Sequence, residues 1–330
     1  MRVLVTGAAG FIGSNLCDRL LANGNTVYGL DNFNDYYVKE GGPQYADRKQ
    51  QNIASALAHP NYRLITADVS EPLTLTEPID AVVHLAARAG VRASKKDPGS
   101  YYIANIGGTM HVLEWARKHK VQQCIIASSS SVYGNTPTGN TGWTEGTPLG
   151  PSTSPYAESK KLAEAFCHVF QHNYHGQPCI SIIRPFTIYG PRGRVDMFPD
   201  KLLRAIHHGN SVDLNVRADG QVMLRDFTYI DDFVDGIVAA LEHRFPFEIF
   251  NLGNNHPVAL PDVIRIASEV VGKEAIVQEK PAPAEDVIAT FADVTRARRL
   301  LGWKPKTDLK TGLTKFYNWL KTHDPTFNKP

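Results

Sequence analysis

Arg2-Val-Leu-Val-Thr-Gly-Ala-Ala-Gly-Phe-Ile-Gly-Ser-Asn-Leu16 decides how the chain is read. Val3, Leu4 and Val5 form a short apolar run of the kind that fills a fully buried strand. Gly7, Gly10 and Gly13 follow at three-residue spacing, and Phe11, Ile12, Leu16, Leu20 and Leu21 then recur at helical spacing. A strand, a glycine turn and a helix in that order let backbone N–H groups approach a pyrophosphate at a helix N-terminus. The next strand, Thr26-Val-Tyr-Gly-Leu30, runs into Asp31, 18 residues past Gly13, where an acid can bind the hydroxyls of an adenosine ribose. A tight turn that binds nothing would account for the glycines but not for that acid. Asp31 would also repel a 2′-phosphate, and no Arg or Lys occurs from Val27 to Val38, so NAD is favoured over NADP.

The composition narrows the remaining classes. With 330 residues, 42% of them hydrophobic, there is enough apolar material for one large domain or two linked ones. A net charge of +2 implies neither a nucleic-acid partner nor a membrane surface. No apolar run of about 18 residues is present to span a bilayer. The first residues enter a strand with no signal-peptide pattern, and Cys17, Cys124, Cys167 and Cys179 are widely spaced. A cytoplasmic protein with buried free thiols and no metal site is therefore expected.

Further along, Asn32–Tyr37 leads into a polar stretch to His59, read as an exposed excursion with a short helix near 46–58. Strands are expected at Tyr62–Thr66, Asp80–His84, Cys124–Ala127 and Cys179–Ile183, with helices over Tyr102–Lys120 and Pro155–Tyr174. Strands alternating with helices imply an α/β fold of Rossmann type, a doubly wound parallel sheet. Beyond Arg184 the rhythm changes. Turn-rich and helical pieces run from Pro185 to Gly220, and Met223–Tyr229 and Glu248–Leu252 read as strands bracketing a helix over Asp231–His243. Leu260–Val271, Val294–Leu301 and Leu309–Lys321 read as helices. The expected division is a dinucleotide-binding domain over 1–184, to which the chain returns around 222–252, and a smaller mixed α/β substrate lobe from 185–221 and 253–330.

Ligands of such sheets sit outside the strand carboxyl ends, so polar residues there are the candidates for chemistry. Ser128-Ser-Ser-Ser131 follows the fifth strand, and Tyr156 and Lys160, four apart, share a helix face. A free tyrosine titrates near pH 10, about three units from usefulness as a base. A neighbouring ammonium, the nicotinamide charge and a helix N-terminus all favour phenolate. With a serine sharing the proton, these groups can deprotonate an alcohol while its carbon gives a hydride to NAD.

Gly7–Gly13, Leu85-Ala-Ala87, Ser128–Gly134, Tyr156-Ala-Glu-Ser-Lys160 and Arg225–Asp232 resemble the extended short-chain dehydrogenase/reductase family, and within it the nucleotide-sugar epimerases. Asp31–Tyr37, Ala89–Ser94 and Arg184–Met197 are most similar to the UDP-glucuronate 4-epimerases. The resemblance implies that Gly7, Gly10, Phe11, Ile12 and Gly13 hold the pyrophosphate. It gives Asp31 and Asn32 the adenosine ribose, and places Asp68 and Val69 beside the adenine. Leu85, Ala86 and Ala87 line the cofactor, and Pro185 lies near the nicotinamide. Tyr156 is the base, Lys160 its partner, and Ser129 or its neighbour Ser130 the catalytic serine. Arg225 and Asp286 contact the nucleotide of a UDP-sugar, and Thr187 with Arg194 faces the sugar carboxylate, Arg192 being a competitor. The implied assembly is a homodimer built on the helices 102–120 and 155–174.

The implied reaction is oxidation at carbon 4, rotation of the 4-keto sugar and return of hydride to its other face. Related dehydratases carry Asp-Glu, and decarboxylases Glu, before Val-Tyr-Gly, where this chain has Ser130 and Ser131. A UDP-glucose/UDP-galactose 4-epimerase is the nearer alternative, and a non-catalytic NAD-binding protein the alternative from another class. Three features depart from the family pattern: Val195 in place of proline, Glu285 in place of glycine, and the segment Val38–Tyr45.

Overall fold

The computed structural model describes residues 1–139, 141–283 and 286–327. Six strands come early: β1 (Arg2–Thr6), β2 (Thr26–Asp31), β3 (Tyr62–Thr66), β4 (Ala81–His84), β5 (Gln123–Ala127) and β6 (Cys179–Pro185). Phe247–Leu252 pairs with β6 as a seventh, giving the order 247–252, β6, β5, β4, β1, β2, β3. Every pairing is parallel, with Val3 opposite both Val27 of β2 and Ala81 of β4. Val3, Leu4, Val5, Val82, Val83, Ile180 and Ile182 are fully enclosed, as strands covered on both faces require. The strand order reverses between β1 and β4, which opens a crevice at their carboxyl ends.

Among the described residues twelve α-helices occur in chain order. They are α1 (Phe11–Ala22), α2 (Tyr36–Gly41), α3 (Arg48–Leu57), α4 (Val91–Ser94), α5 (Pro98–Tyr102), α6 (Gly108–Lys118), α7 (Pro155–Asn173), α8 (Phe198–His208), α9 (Ile230–Glu242), α10 (Leu260–Val271), α11 (Thr295–Leu301) and α12 (Leu309–His323). Ser154 starts α7 by accepting the Ala157 amide, and Pro155 fills its first turn. The C-terminal part adds three small sheets: 257–259 antiparallel to 224–226, and 188–189 with 228–229 and 211–216 with 276–281, both parallel.

Three expectations are corrected. The stretch 38–59 is an exposed excursion only in part: Lys39, Glu40, Pro43 and Gln44 are exposed, and the expected short helix forms over Arg48–Leu57. Tyr37, Tyr45, Arg48 and Lys49 are buried, and Tyr37 and Tyr45 pack with Val195. The single helix expected over Tyr102–Lys120 starts at Pro98 and carries a π-helical turn over Ile103–Gly107. The strand expected at Met223–Tyr229 is split at Phe227, whose two sides pair with different partners. Among the described residues no helix is long and apolar enough to cross a membrane. The four cysteines are free; Cys17, Cys124 and Cys167 are buried, and burial pushes their thiols up.

Candidate active site

The glycine turn is shaped by close approach. Gly7 has φ +71°, and a methyl there would lie 2.9 Å from the Ala86 nitrogen, so the turn sits directly against the end of β4. A methyl on Gly13 would lie 2.1 Å from the Gly7 oxygen. Gly10 caps α1 with no side chain across its end. The first i→i−4 bond of α1 is made by Ser14, which leaves the Phe11, Ile12 and Gly13 amides without an intrahelical acceptor. These donors fit a pyrophosphate, and a side chain at any of the three glycines would fill or distort the cradle. Beneath it, Thr6 Oγ1 accepts the Ala86 amide at 3.2 Å and meets His84 Nδ1 at 2.8 Å, where burial lowers the imidazole to about 3 and keeps it neutral.

Asp31 ends β2 with its carboxylate accepting the Ala9 and Phe33 amides at 3.0 and 2.8 Å. Asn32 donates to Asp68 at 2.9 Å, so the residues expected around the adenosine form one rim, with Val69 buried beside it. Lys49 of α3, far outside Val27–Val38, donates to Asp31 at 2.7 Å. The charge expected to repel a 2′-phosphate is therefore partly offset by a cation the strand-end sequence does not reveal. Leu85, Ala86 and Ala87 continue from β4 and Pro185 ends β6, all at the carboxyl edge of the sheet.

Tyr156 lies in the first turn of α7, and Ser129 is close enough to pull its hydroxyl down. Ser129 is buried, with its Oγ accepting the Ser131 amide at 3.1 Å. Ser128 is engaged with Glu164, and Ser130, half-buried, has no hydrogen-bond partner among the described residues. Of the three, Ser129 is the one that acts on the Tyr156 phenol in its electrostatics. Lys160 Nζ donates to the Ala127 carbonyl at 2.7 Å, and burial lowers it to about 8. In the protein alone, burial raises the Tyr156 hydroxyl, while Ser129 and the Arg194 cation pull it down.

Arg194 is not a surface cation: its side chain is one-fifth exposed, and it pairs with Asp196 through Nε (3.0 Å) and Nη2 (2.6 Å). Arg192 turns away to Asp18 of α1 at 2.7 Å and does not compete for its place. Thr187 is half-buried just past β6, its carbonyl accepting the Thr228 amide. Asp286 accepts from Asn215 (2.9 Å) and Arg92 (3.4 Å) and acts electrostatically on the half-buried Arg225. Glu285 lies outside the described residues.

Several contributors escape the sequence reading. Asn105, buried in the π-helical turn, accepts the Arg88 amide and donates to Ser159 at 2.9 Å, tying the loop after β4 to α7. An amide on the buried face of an apolar helical run was the signal for it. Tyr101 packs edge-on against Tyr156 with ring centroids 6.3 Å apart. Below the serines, Arg184 donates to both Glu164 oxygens (2.9 and 2.6 Å) and to Tyr133 (2.9 Å).

Residues 3–253 match the model of the NAD dependent epimerase/dehydratase family. The chain is 37% identical over 325 residues to UDP-glucuronate 4-epimerase of Thermodesulfobacterium geofontis, covering 96% of this chain and 95% of that one. It belongs to this family. The family is the extended short-chain dehydrogenase/reductase group expected from the motifs, and NAD is its cofactor. UDP-glucuronic acid 4-epimerase from Bacillus cereus, solved with UDP-glucuronic acid and NAD, superposes with TM-score 0.87 at 36% identity, over 97% of this chain and 99% of that one. UDP-glucose 4-epimerase of Thermotoga maritima, solved with UDP-glucose, superposes with TM-score 0.83 at 26% identity, over 97% and 99% of the two chains. This family member is an NAD-dependent nucleotide-sugar epimerase.

Proposed function

We propose that the chain interconverts UDP-glucuronate and UDP-galacturonate. The observation that carries this reading is Arg194, a guanidinium held inside the site within electrostatic reach of Tyr156. A neutral hexose needs no such group, whereas a carboxylate is well matched by one. NAD, held by the glycine turn and the Asp31 rim, supplies reversible hydride acceptance. Tyr156 takes the proton from the carbon-4 hydroxyl and later returns one, with Ser129 sharing it. Lys160, fixed on β5, braces the cofactor side of α7. Arg225 and Asp286, with Arg92 and Asn215, take the nucleotide.

The 4-keto uronate is a β-keto acid, so an epimerase has to keep its carboxylate bond out of line with the carbonyl π system. Arg194 with Thr187 provides that restraint, and Ser130 and Ser131 offer no carboxyl for the extra proton transfers of dehydration or decarboxylation. One observation favours the neutral-sugar alternative: Asp196 already occupies one edge of Arg194. Arg194→Ala decides between them. Turnover of UDP-glucuronate should fall at least about a hundredfold while any turnover of UDP-glucose changes little; equal losses would remove the carboxylate role.

A homodimer is also proposed. Ile103, Met110, Leu162 and Val169 stand exposed on the π-helical turn, α6 and α7, at seven-residue spacing within each pair, and make one apolar stripe.

A further inference from the structure

We propose that Tyr36 and Asp196 are positioning residues that fix which edge of the Arg194 guanidinium faces the sugar, and so set the preference for a carboxylated substrate. This rests on the uronate reading and extends it to the residues that hold Arg194 in place. A guanidinium has a side-on edge (Nε, Nη2), an end-on edge (Nη1, Nη2) and two faces. Asp196 takes the side-on edge at 3.0 and 2.6 Å. The Tyr36 ring covers one face, with its centroid 5.3 Å from the guanidinium carbon. Nη1 has no acceptor among the described residues, which leaves the end-on edge for a ligand carboxylate.

The support joins a stretch that resembles the family, Asp31–Tyr37, to two features that depart from it, Val195 and the segment Val38–Tyr45. Tyr36 starts α2, its amide bonded to Asn34, and stands edge-on to Tyr37 with centroids 5.7 Å apart. Tyr37 is buried against Tyr45 and Val195, the residue in place of the usual proline. A methyl on Gly41 would lie 2.7 Å from a Val195 methyl, so the loop and the 190s are in close register. The same loop begins at Phe33, whose amide binds Asp31. One short segment therefore joins the adenosine-ribose acid to the wall of the carboxylate reader.

Asp196 also balances the charge of Arg194, so an arriving uronate meets a neutral, oriented pair rather than a bare cation. Binding is weaker than a free guanidinium would give, and alignment is better.

The test measures binding of UDP-glucuronate and UDP-glucose by calorimetry, UDP-glucuronate turnover by NMR, and retained NAD, for the NAD-loaded wild type, Tyr36→Ala, Tyr36→Phe and Asp196→Asn. The wild type should bind UDP-glucuronate more tightly than UDP-glucose. Tyr36→Ala should erode that ratio about tenfold, consistent with loss of a desolvated cation–π contact, while Tyr36→Phe keeps it. Asp196→Asn, close in shape, should lower KM for UDP-glucuronate and lower kcat, with UDP-glucose affinity unchanged. A wild type with no preference for the uronate overturns the uronate reading itself. A wild type with the preference but an unaltered ratio in Tyr36→Ala, an equal loss in Tyr36→Phe, or parallel losses for both sugars in Asp196→Asn overturns the positioning role. If Tyr36→Ala does not fold, Asp196→Asn still decides the positioning role by its split between the two sugars.

Discussion

Tyr156 and Lys160 illustrate how burial shapes this site. Enclosure raises the phenol and lowers the ammonium, so both stand closer to their neutral forms than in water. For Lys160 this has a consequence for stability. The unfolded chain keeps the proton to its ordinary value of 10.5, while the folded chain releases it near 8. Between those values the unfolded state binds more protons, so stability rises with pH. Below that window Lys160 carries its full desolvation cost. Lys160→Met should flatten the slope of stability against pH between about 8 and 10.5 and raise the melting temperature at pH 7, while activity falls. Denaturant titrations across that range check it, and an unchanged slope would show that Lys160 titrates normally. Tyr156→Phe should cost at least about a hundredfold in turnover and leave NAD bound; a non-catalytic NAD-binding protein would tolerate it.

The glycine turn and the polar layer under β5 and β6 set the limits on substitution. Gly13→Ala places a methyl 2.1 Å from a backbone oxygen that cannot yield, so protein purified with this change should lack NAD and melt several degrees lower. Arg184 and Glu164 form an enclosed ion pair that also anchors Ser128 and Tyr133. Removing one partner strands a buried charge, so Arg184→Met should destabilise the fold by about 3–5 kcal/mol, measured by urea unfolding. The strand–turn–helix at the N-terminus and the Tyr156/Lys160 pair were legible because their signals are local: periodicity, glycine spacing and a four-residue helical offset. Lys49 on Asp31, Asp196 on Arg194 and Asn105 on Ser159 were not, because each contact depends on where a distant segment is laid. The stretch after Tyr37 looked like a polar excursion because Val195, which packs with Tyr37 and Tyr45, lies far along the chain. The expected catalytic serine, Ser129, stands next to Ser130, and adjacent serines differ only in the direction the 3₁₀ turn over Ser130–Tyr133 gives them, which sequence alone does not set.

Architecture and assembly follow from the sheet. The residues proposed to hold the cofactor lie at its carboxyl edge around the crevice between β1 and β4, and Asp286 reaches Arg92, just past β4. The reverse side of α6 and α7 carries the exposed apolar stripe, with Ile103 62% and Val169 55% accessible. Ile103→Glu with Val169→Glu should convert a dimer to monomer in light scattering without altering the NAD content, whereas a monomeric wild type would refute the assembly. The account as a whole turns on what the as-purified protein does with UDP-glucuronate. Incubated without added NAD or reductant and followed by NMR, it should form UDP-galacturonate to a stable mixture with no carbon dioxide released. Inertness toward the uronate together with interconversion of UDP-glucose and UDP-galactose, or decarboxylation of the uronate, would contradict it.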